Sequence, residues 1–471
     1  LLYLILALIG VDHHVLAQQT TAPSDSVPTI AGPLPSPQER ILSPIPMQFN
    51  WMSREVRPNP LLEALLSLQE GPVRLFIPVT LAEEFSDNFF QDNDEMEEYR
   101  TSIGTGAVFR LERGRSFVSL ANTTNVTYDA RAEESDFGFA NLSLNVGHQL
   151  PRLSLALNES FVRDNDPDLA DSAGTRRGRR TFLRNRVSPQ MRYAFSRLTS
   201  MTLGYTNTLV EVEGGVNGDD SITHTVATDI QHQFSRVLTG RISYAFTADD
   251  SDGAADTQAH DASVDMGYTF DPRTSFALRA FGSVTDRSNG GEDSQTYGAS
   301  FGLRRQFTSF LGAFVSIGAT VFEEEGDDPE VRLNWQVNLD GDLPFSRRTS
   351  LTLNSRQEVA DTTGNVDAVG IVLSQSVSLT LNHVVSRALL TSLFVNYTRT
   401  EFLEDSVGTS GAVKGREDNF WRAGARASYA LTRVWSLSLV YLYRRRDSNL
   451  RDSDFDENRV TFTLSGNVPV L

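Results

Sequence analysis

The sequence predicts an all-β protein, a transmembrane antiparallel up-and-down β-barrel of about twenty strands, with 18–22 as the range. Two observations predict this fold. A short apolar phrase that ends in Ser or Thr and Arg recurs along the chain, and from Phe195 to Phe345 its copies, looser ones included, are spaced roughly 36–39 residues apart. Between the copies, apolar and polar residues alternate over segments long enough to cross a bilayer as strands.

The repeated phrase marks tight turns. Each repeat holds two strands, one tight turn and one longer polar loop, which is typical of outer-membrane barrels with short periplasmic turns. The clearest copies are Tyr193-Ala-Phe-Ser-Arg197, His232-Gln-Phe-Ser-Arg236, Leu343-Pro-Phe-Ser-Arg347, His383-Val-Val-Ser-Arg387 and Tyr429-Ala-Leu-Thr-Arg433. We therefore expect these turns to face the periplasm and the longer loops to face the exterior.

Strict alternation is clearest in the segment Val331–Asp340. Its odd-numbered residues are apolar and its even-numbered residues are polar, so one face suits lipid and the other suits water. The pattern places Trp335 against the bilayer and Gln336 in the lumen. The weakest strand assignment is Ala121–Thr127, which is rich in Asn and Thr.

The N-terminal residues 1–17 resemble a secretory signal peptide whose start is truncated. Leu1–Gly10 is apolar but too short to span a bilayer, and Val15 and Ala17 supply small residues at the expected cleavage positions. The alternative is a buried apolar segment. Export fits the Gram-negative outer membrane as the predicted location.

Residues 18–71 are predicted to form a separate periplasmic region. Its first part is a Pro-rich linker, and Pro60–Leu68 then reads as a short amphipathic helix with Asn59 as its N-cap. This helix is expected either to rest on the barrel rim or to act as a plug or a partner handle. Residues 72–471 form the predicted barrel.

Composition narrows the function. The chain has no Cys, which excludes disulfides and Cys-ligated metals, and its formal net charge of −18 argues against nucleic acid as a partner. No catalytic motif or metal-ligand spacing is evident, so we predict no enzyme activity, no cofactor and no metal. His148, His232 and His383 lie near the predicted periplasmic turns, where a girdle or capping role is expected.

The opening strand ends in Glu84-Phe-Ser-Asp-Asn-Phe89, and the closing strand is Glu457-Asn-Arg-Val-Thr-Phe-Thr-Leu-Ser465. Together with the repeated turns, these segments resemble the outer-membrane β-barrel porins often found with exopolysaccharide export systems. The resemblance covers residues 73–468. It implies outer-membrane lipid, lipopolysaccharide, the barrel assembly machinery and polysaccharide export components as partners.

Acidic residues crowd the predicted outer loops, and they include Glu97 and Glu98, Asp249 and Asp250, Glu323–Glu325 and Asp452–Glu457. One interpretation is a solvated, repulsive surface. The other is divalent-cation binding that bridges the loops to anionic lipopolysaccharide, because hard cations favour carboxylate oxygens.

Other charged residues fall on the polar face of their strands, where a lipid-facing charge would cost about 2–4 kcal/mol. These candidates for the lumen lining are Arg184, Arg186, Arg192, Arg241, Arg279, Arg304, Arg332, Arg422, Arg426, Asp229, Asp265 and Asp340. They predict either a structural network of Arg–Asp pairs or an Arg-lined conduit that favours anions. One set of residues can serve both purposes.

The predicted function is therefore a porin-like outer-membrane channel for exopolysaccharide or anionic solutes. The alternative is a non-conducting structural or adhesive barrel whose acidic loops contact surface glycans.

Overall fold

The computed structural model describes residues 73–91, 95–130, 134–165, 181–213, 220–251, 256–288, 293–324, 328–343, 346–362, 370–403, 415–450 and 453–470. These residues form a single sheet of twenty antiparallel strands. No helix in this part of the chain is long and apolar enough to span a membrane.

The strands follow one another around the barrel in chain order. Their bounds are β1 Val73–Ser86, β2 Glu98–Arg113, β3 Ser116–Asp129, β4 Glu134–Gln149, β5 Leu153–Asp164, β6 Phe182–Ala194, β7 Thr199–Val212, β8 Ser221–Gln233, β9 Leu238–Ser251, β10 Thr257–Asp271, β11 Thr274–Arg287, β12 Ser294–Gln306, β13 Leu311–Glu324, β14 Glu330–Leu343, β15 Ser346–Thr362, β16 Gly370–Val384, β17 Leu389–Phe402, β18 Glu417–Ala430, β19 Trp435–Ser448 and β20 Phe455–Pro469.

The barrel closes between its first and last strands. β1 pairs with β20 from Phe76↔Pro469 to Ser86↔Arg459, and every other strand pairs with its neighbours in the chain. Closure removes the free sheet edge, so the backbone groups of each strand find partners without water, as a bilayer requires. The predicted all-β fold and the count of twenty strands are confirmed.

The two ends of the barrel differ in their connections. At one end the strands are joined by turns of two to four residues, such as 114–115 and 195–198. At the other end the connections are mostly longer, up to residues 165–181 between β5 and β6. Outer-membrane barrels carry their short turns on the periplasmic side. We therefore name the end with the short turns the periplasmic end and the opposite end the outer end.

Each strand has one apolar face that is exposed. In β8, Ile222, Val226 and Ile230 are 41–44% exposed, whereas Ala227 and Asp229 on the other face are 1% and 7% exposed. Large apolar side chains on the outside of a closed sheet are stable only in a nonpolar solvent, because in water they would form an aggregation surface. The outside of the barrel is therefore suited to lipid.

Several acidic residues assigned from the sequence to outer loops lie instead in strands. Glu98 begins β2, Asp249 belongs to β9, Glu324 ends β13 and Glu457 belongs to β20. All four are buried. Grouping them with the loops was wrong, although the alternation also places Glu457 in the closing strand. Inward-facing strand ends accept charge, which makes their composition resemble that of a loop.

The N-terminal predictions fall outside the described residues. These are the signal segment 1–17, the linker 18–71 and the helix at Pro60–Leu68. They stay predictions.

The end assignment can be tested by labelling of intact cells. We expect Asp250→Cys, at the outer end of β9, to react with a membrane-impermeant maleimide, and Ser235→Cys, in the turn after β8, to react only after the cells are permeabilised. Both native side chains are exposed and the chain contains no other Cys. Labelling of Ser235→Cys alone in intact cells would reverse the assignment.

The assignment of faces can be tested on β19. Leu439 is 50% exposed on the apolar face, and Ser438 lies on the opposite face. Leu439→Arg should destabilise the barrel by about 2–4 kcal/mol because it places a charge in lipid, while Ser438→Arg should be tolerated. The readout is unfolding of the purified protein in urea with lipid vesicles. Equal losses would mean that the faces are wrongly assigned.

Candidate channel lumen

The cross-strand register shows which residues share a face, because directly paired residues project from the same side of a sheet. Asp229 pairs with Ser243, Asp265 with both Arg241 and Arg279, and the series continues around the barrel to Asn396↔Arg422. All twelve charged candidates lie on this one face, which is opposite the exposed apolar residues. We call it the inward face.

Two of the candidate arginines are paired with candidate aspartates. Arg241 Nη2 lies 2.7 Å from Asp229 Oδ1, and Arg279 Nε lies 3.6 Å from Asp265 Oδ1. Both aspartates are buried. These residues therefore form the Arg–Asp network that one of the two interpretations predicts, and their charges largely cancel.

The next two candidates are held locally on β14. Arg332 Nη2 lies 2.7 Å from Glu330 Oε2, two residues earlier on the same strand. Asp340 accepts a hydrogen bond of 2.8 Å from the Thr352 hydroxyl on β15. Arg332 therefore adds little net charge to the inward face.

Two other candidate arginines stack on phenylalanine rings. The Arg304 guanidinium lies 5.4 Å from the ring centroid of Phe314, and that of Arg422 lies 5.6 Å from the centroid of Phe394. Each ring covers an inward glycine of the neighbouring strand. A Cβ on Gly302 would lie 2.7 Å from the Phe314 ring, and a Cβ on Gly424 would lie 2.5 Å from the Phe394 ring. The glycines let the rings lie flat against the wall.

Arg304 is 6% exposed, and its Nε and Nη1 make no hydrogen bond to any described residue. Arg192 is exposed and, among the described residues, donates only to the Ser200 hydroxyl, at 3.3 Å. Arg426 is exposed as well and has no ion pair with any residue that the structure describes. These three guanidinium groups are not neutralised in the way Arg241 is.

A further cross-strand pair, Arg74↔Arg110, lies on the inward face near the periplasmic end of β1 and β2. Neither side chain forms an ion pair with a described residue. Five inward arginines near the periplasmic end have no ion pair with a described residue, and we call them the periplasmic arginine belt: Arg74, Arg110, Arg192, Arg304 and Arg426. The inward acids near that end are Glu112, Asp340 and Asp342.

Arg184 and Arg186 share the inward face with Arg192 but lie towards the outer end of β6. Both are half-buried, next to an apolar cluster in which Phe182 is 1% exposed. The three β6 arginines that the sequence groups together are therefore divided between two levels of the barrel.

At the outer end, the inward face carries a buried ion pair that bridges the closing strands. Arg444 Nη1 lies 3.2 Å from Glu457 Oε2, and the two side chains are 1% and 0% exposed. The Ser86 hydroxyl and the Gln91 amide each donate to Glu457 at 2.9 Å. These contacts join β19 and β20 to the segment that follows β1, which is distant in sequence.

A second buried cluster lies beside the first. Asp418 forms ion pairs with Arg416 and Arg446, and the Nη2 atom of each arginine lies 2.7 Å from Asp418 Oδ2. The Arg416 guanidinium also lies 4.8 Å from the ring centroid of Phe402. The cluster therefore joins the outer ends of β17, β18 and β19.

The chain after β1 folds against these charges. Phe89 is 5% exposed, and the Arg100 guanidinium lies 4.7 Å from the centroid of its ring. Arg100 is in turn bound to Asp129, with Nε 2.6 Å from Oδ1. This segment narrows the outer mouth on the side of the closing strands.

The outer ends of β15 and β16 narrow the mouth from a second side. β14 pairs with β15 only as far as Trp335↔Gln357, while β15 and β16 stay paired as far as Thr362↔Gly370. Beyond that point Ile371 is completely buried and packs with Phe322, an inward residue of β13. β15 therefore separates from β14 here, while β16 stays bonded to β17 and the hairpin packs against the inward face at Phe322.

Sequence reasoning missed the charged residues of the outer mouth. It gave Glu457 as the first residue of the closing strand but also counted it among the acids of the outer loops, and it did not select Arg100, Arg444 or Arg446. The alternating phase of β19 could have identified Arg444 and Arg446 as inward. Their partners could not have been inferred, because Ser86 and Glu457 are 371 residues apart.

The buried pair at the mouth should stabilise the closed barrel. Glu457→Gln removes the carboxylate that faces Arg444 Nη1 in a buried pair, and loss of one partner of such a pair costs about 3–5 kcal/mol. We expect a clearly lower temperature for the heat-induced shift of the folded band on gels. The control is Glu213→Gln, because Glu213 pairs with Arg163 at 2.8 Å but its side chain is 58% exposed, and such pairs contribute about 0–1 kcal/mol. A smaller loss for Glu457→Gln than for Glu213→Gln would contradict this role.

The comparisons with known proteins agree with the closed barrel. Residues 272–467, which span β11 to most of β20, match the family model described as Putative beta-barrel porin 2. No curated protein is detectably similar in sequence.

Matches to solved structures have low sequence identity. OccAB4 of Acinetobacter baumannii is 11% identical with a TM-score of 0.43, and the match covers 85% of this chain and 99% of that one. OccK5 (OpdH) of Pseudomonas aeruginosa is 13% identical with a TM-score of 0.41, covering 85% and 98%. By its closed sheet and its exposed apolar outside, the chain is a β-barrel suited to lipid, and its residues 272–467 are similar to that porin family.

Proposed function

We propose that this barrel is an aqueous channel for anionic solutes, and that acidic exopolysaccharide leaving the periplasm belongs to its substrates. The observation that carries the proposal is the uneven neutralisation of charge along the inward face. At the outer end, Arg444, Arg446 and Arg100 are bound to carboxylates. At the periplasmic end, the arginines of the periplasmic arginine belt are not bound to carboxylates of described residues.

The balance of charge supports anion preference. The belt contributes five positive charges, and Glu112, Asp340 and Asp342 contribute three negative charges near the same end, which leaves an excess of two positive charges. Between low-dielectric walls such an excess raises the local concentration of anions and favours their passage. The net charge of −18 does not oppose this, because selectivity depends on the groups that face the pore.

The stacking of Arg422 on Phe394 supports a substrate that combines charge with a ring. It places a guanidinium beside an apolar ring, and both side chains are only half-buried, whereas Arg304 and Phe314 are buried. A sugar ring that bears a carboxylate can meet both, with its carboxylate on the guanidinium and its C–H face on the phenylalanine. Neutral sugars would gain only the second contact.

The narrowed outer mouth favours the alternative, a non-conducting structural or adhesive barrel. Phe89 and Ile371 both cover part of the inward face there. A channel with this mouth must open when solute passes, whereas a structural barrel has no need to open. Conductance measurements separate the two.

Selectivity is best measured as the reversal potential of the purified protein in planar bilayers under a potassium chloride gradient. We expect an anion-selective sign for the wild type. The variant Arg192→Gln with Arg426→Gln removes the two most exposed belt charges and should shift the reversal potential towards cations.

The matched control is Arg241→Gln with Asp229→Asn, which removes a neutral pair and should leave the reversal potential unchanged. A cation-selective wild type would contradict the arginine proposal but keep the channel. No conductance, either in the wild type or after removal of residues 18–71, would favour the structural barrel instead.

A further inference from the structure

The repeated turns at the periplasmic end share one hydrogen-bonded geometry. In the turn after β6, the Ser196 hydroxyl accepts the backbone N–H groups of Leu198 and Thr199, at 3.1 and 3.0 Å. The same two bonds recur at Ser235, Thr308, Ser386 and Thr432. A side-chain hydroxyl that mimics a backbone turn fixes the loop, so the residues beside it are held in the same positions at each turn.

The residue before each hydroxyl is apolar and highly exposed. Phe195 is 53% exposed, Phe234 60% and Leu431 49%. Two of the rings lie against the lipid-facing surface. Phe195 lies 5.0 Å from the ring of Tyr193, and Phe234 covers the outward Gly240, where a Cβ would lie 2.7 Å from the ring. The turns therefore extend the apolar outside of the barrel to its periplasmic rim.

An arginine follows the hydroxyl in four of these turns. Arg197, Arg236, Arg387 and Arg433 are exposed, and none has an ion pair with a described residue. Each lies two residues after the apolar side chain that marks the edge of the lipid-facing surface. Arginine in such a place can keep its charge in the headgroup layer while its stem contacts apolar surface.

Histidines lie beside these turns on the same outward surface. His232 Nδ1 lies 2.8 Å from the Thr199 hydroxyl, next to the turn that holds Arg197. His383 and Thr349 make the same contact across β15 and β16, also at 2.8 Å. When the hydroxyl donates to Nδ1, the other ring nitrogen carries the proton and is a hydrogen-bond donor.

We propose that the four Arg-containing turns are binding sites for the phosphate groups of anionic phospholipids in the leaflet that faces the periplasm. The guanidinium binds the phosphate oxygens, the apolar side chain before it contacts the acyl chains, and the neighbouring strands supply histidine as an added donor where it is present. The sites lie at the turns after β6, β8, β16 and β18. They are independent of whether the barrel conducts.

A lipid annulus fits these sites better than a protein partner does. The four turns are distributed around the barrel between β6 and β19, so one partner of ordinary size could not contact all of them, whereas lipid surrounds the whole rim. Their apolar residues lie on the side that faces the bilayer, as Phe234 over Gly240 demonstrates. A periplasmic protein would instead approach from the end of the barrel.

The test measures the selectivity for spin-labelled phosphatidylglycerol over phosphatidylcholine in reconstituted vesicles, from the fraction of label immobilised at the protein. For the wild type we expect a preference of roughly two- to five-fold that falls with added salt. Changing Arg197, Arg236, Arg387 and Arg433 together to Gln should bring it close to one. Changing the same four residues to Lys should keep most of it.

The turn after β12 provides a matched gain-of-function variant. It has the same hydroxyl geometry at Thr308 but carries Ser309 where the other turns carry Arg. Ser309→Arg should raise the selectivity for phosphatidylglycerol without any loss of native side-chain contacts. As a control, Arg163→Gln with Arg445→Gln removes two outward arginines of the outer end and should change nothing.

Several results would overturn the proposal. They are a wild type without preference for phosphatidylglycerol, a preference that survives in the folded Gln variant, or a Ser309→Arg variant identical to the wild type. A wild type without preference for phosphatidylglycerol would instead favour a protein partner at the exposed turns. If the Gln variant does not fold, the salt dependence of the wild type and the Ser309→Arg comparison still decide.

Discussion

Pairing of β1 with β20 is the interaction on which the rest of the structure depends. An open sheet of this size would present two unpaired edges to lipid, where each unsatisfied backbone group costs several kcal/mol. Once the sheet is closed, every residue lies either outside or inside. All later properties, the lipid-facing apolar surface and the charged inward face alike, follow from the register that the closure fixes. The buried Arg444–Glu457 pair strengthens the closure, because Glu457 on β20 also accepts a hydrogen bond from the Ser86 hydroxyl on β1.

The inward face shows how a barrel accommodates charge. Where space is restricted at the outer mouth, arginines are matched by carboxylates from neighbouring strands, as in the cluster of Arg416, Arg446 and Asp418. Buried charge without such a partner would be costly. Near the periplasmic end, Arg192 and Arg426 stay exposed, and water can solvate them. The same residue type therefore stabilises the mouth at one end and is available to solutes at the other.

The fold could be predicted from the sequence because alternation is local. The alternating segment Val331–Asp340 lies in β14 as expected, and even the weak segment Ala121–Thr127 belongs to a strand, β3. The inward direction of residues such as Arg304 follows from the same alternation. The partners of these residues cannot be predicted from it. Whether an arginine meets an aspartate, as Arg241 does, or a phenylalanine, as Arg304 does, depends on cross-strand register. Strand ends such as Glu98 were grouped with the outer loops because charge at an inward position resembles the composition of a loop.

The central claim is that alternate residues of each strand face water inside the barrel and lipid outside it. Single Cys substitutions at 436, 437, 438, 439 and 440 of β19, in a chain without native Cys, allow a direct measurement in lipid nanodiscs. The account predicts fast reaction of 436, 438 and 440 with a small charged methanethiosulfonate reagent, and slow reaction of 437 and 439. Reaction rates that do not alternate along the strand, or that alternate in the opposite phase, would contradict the account.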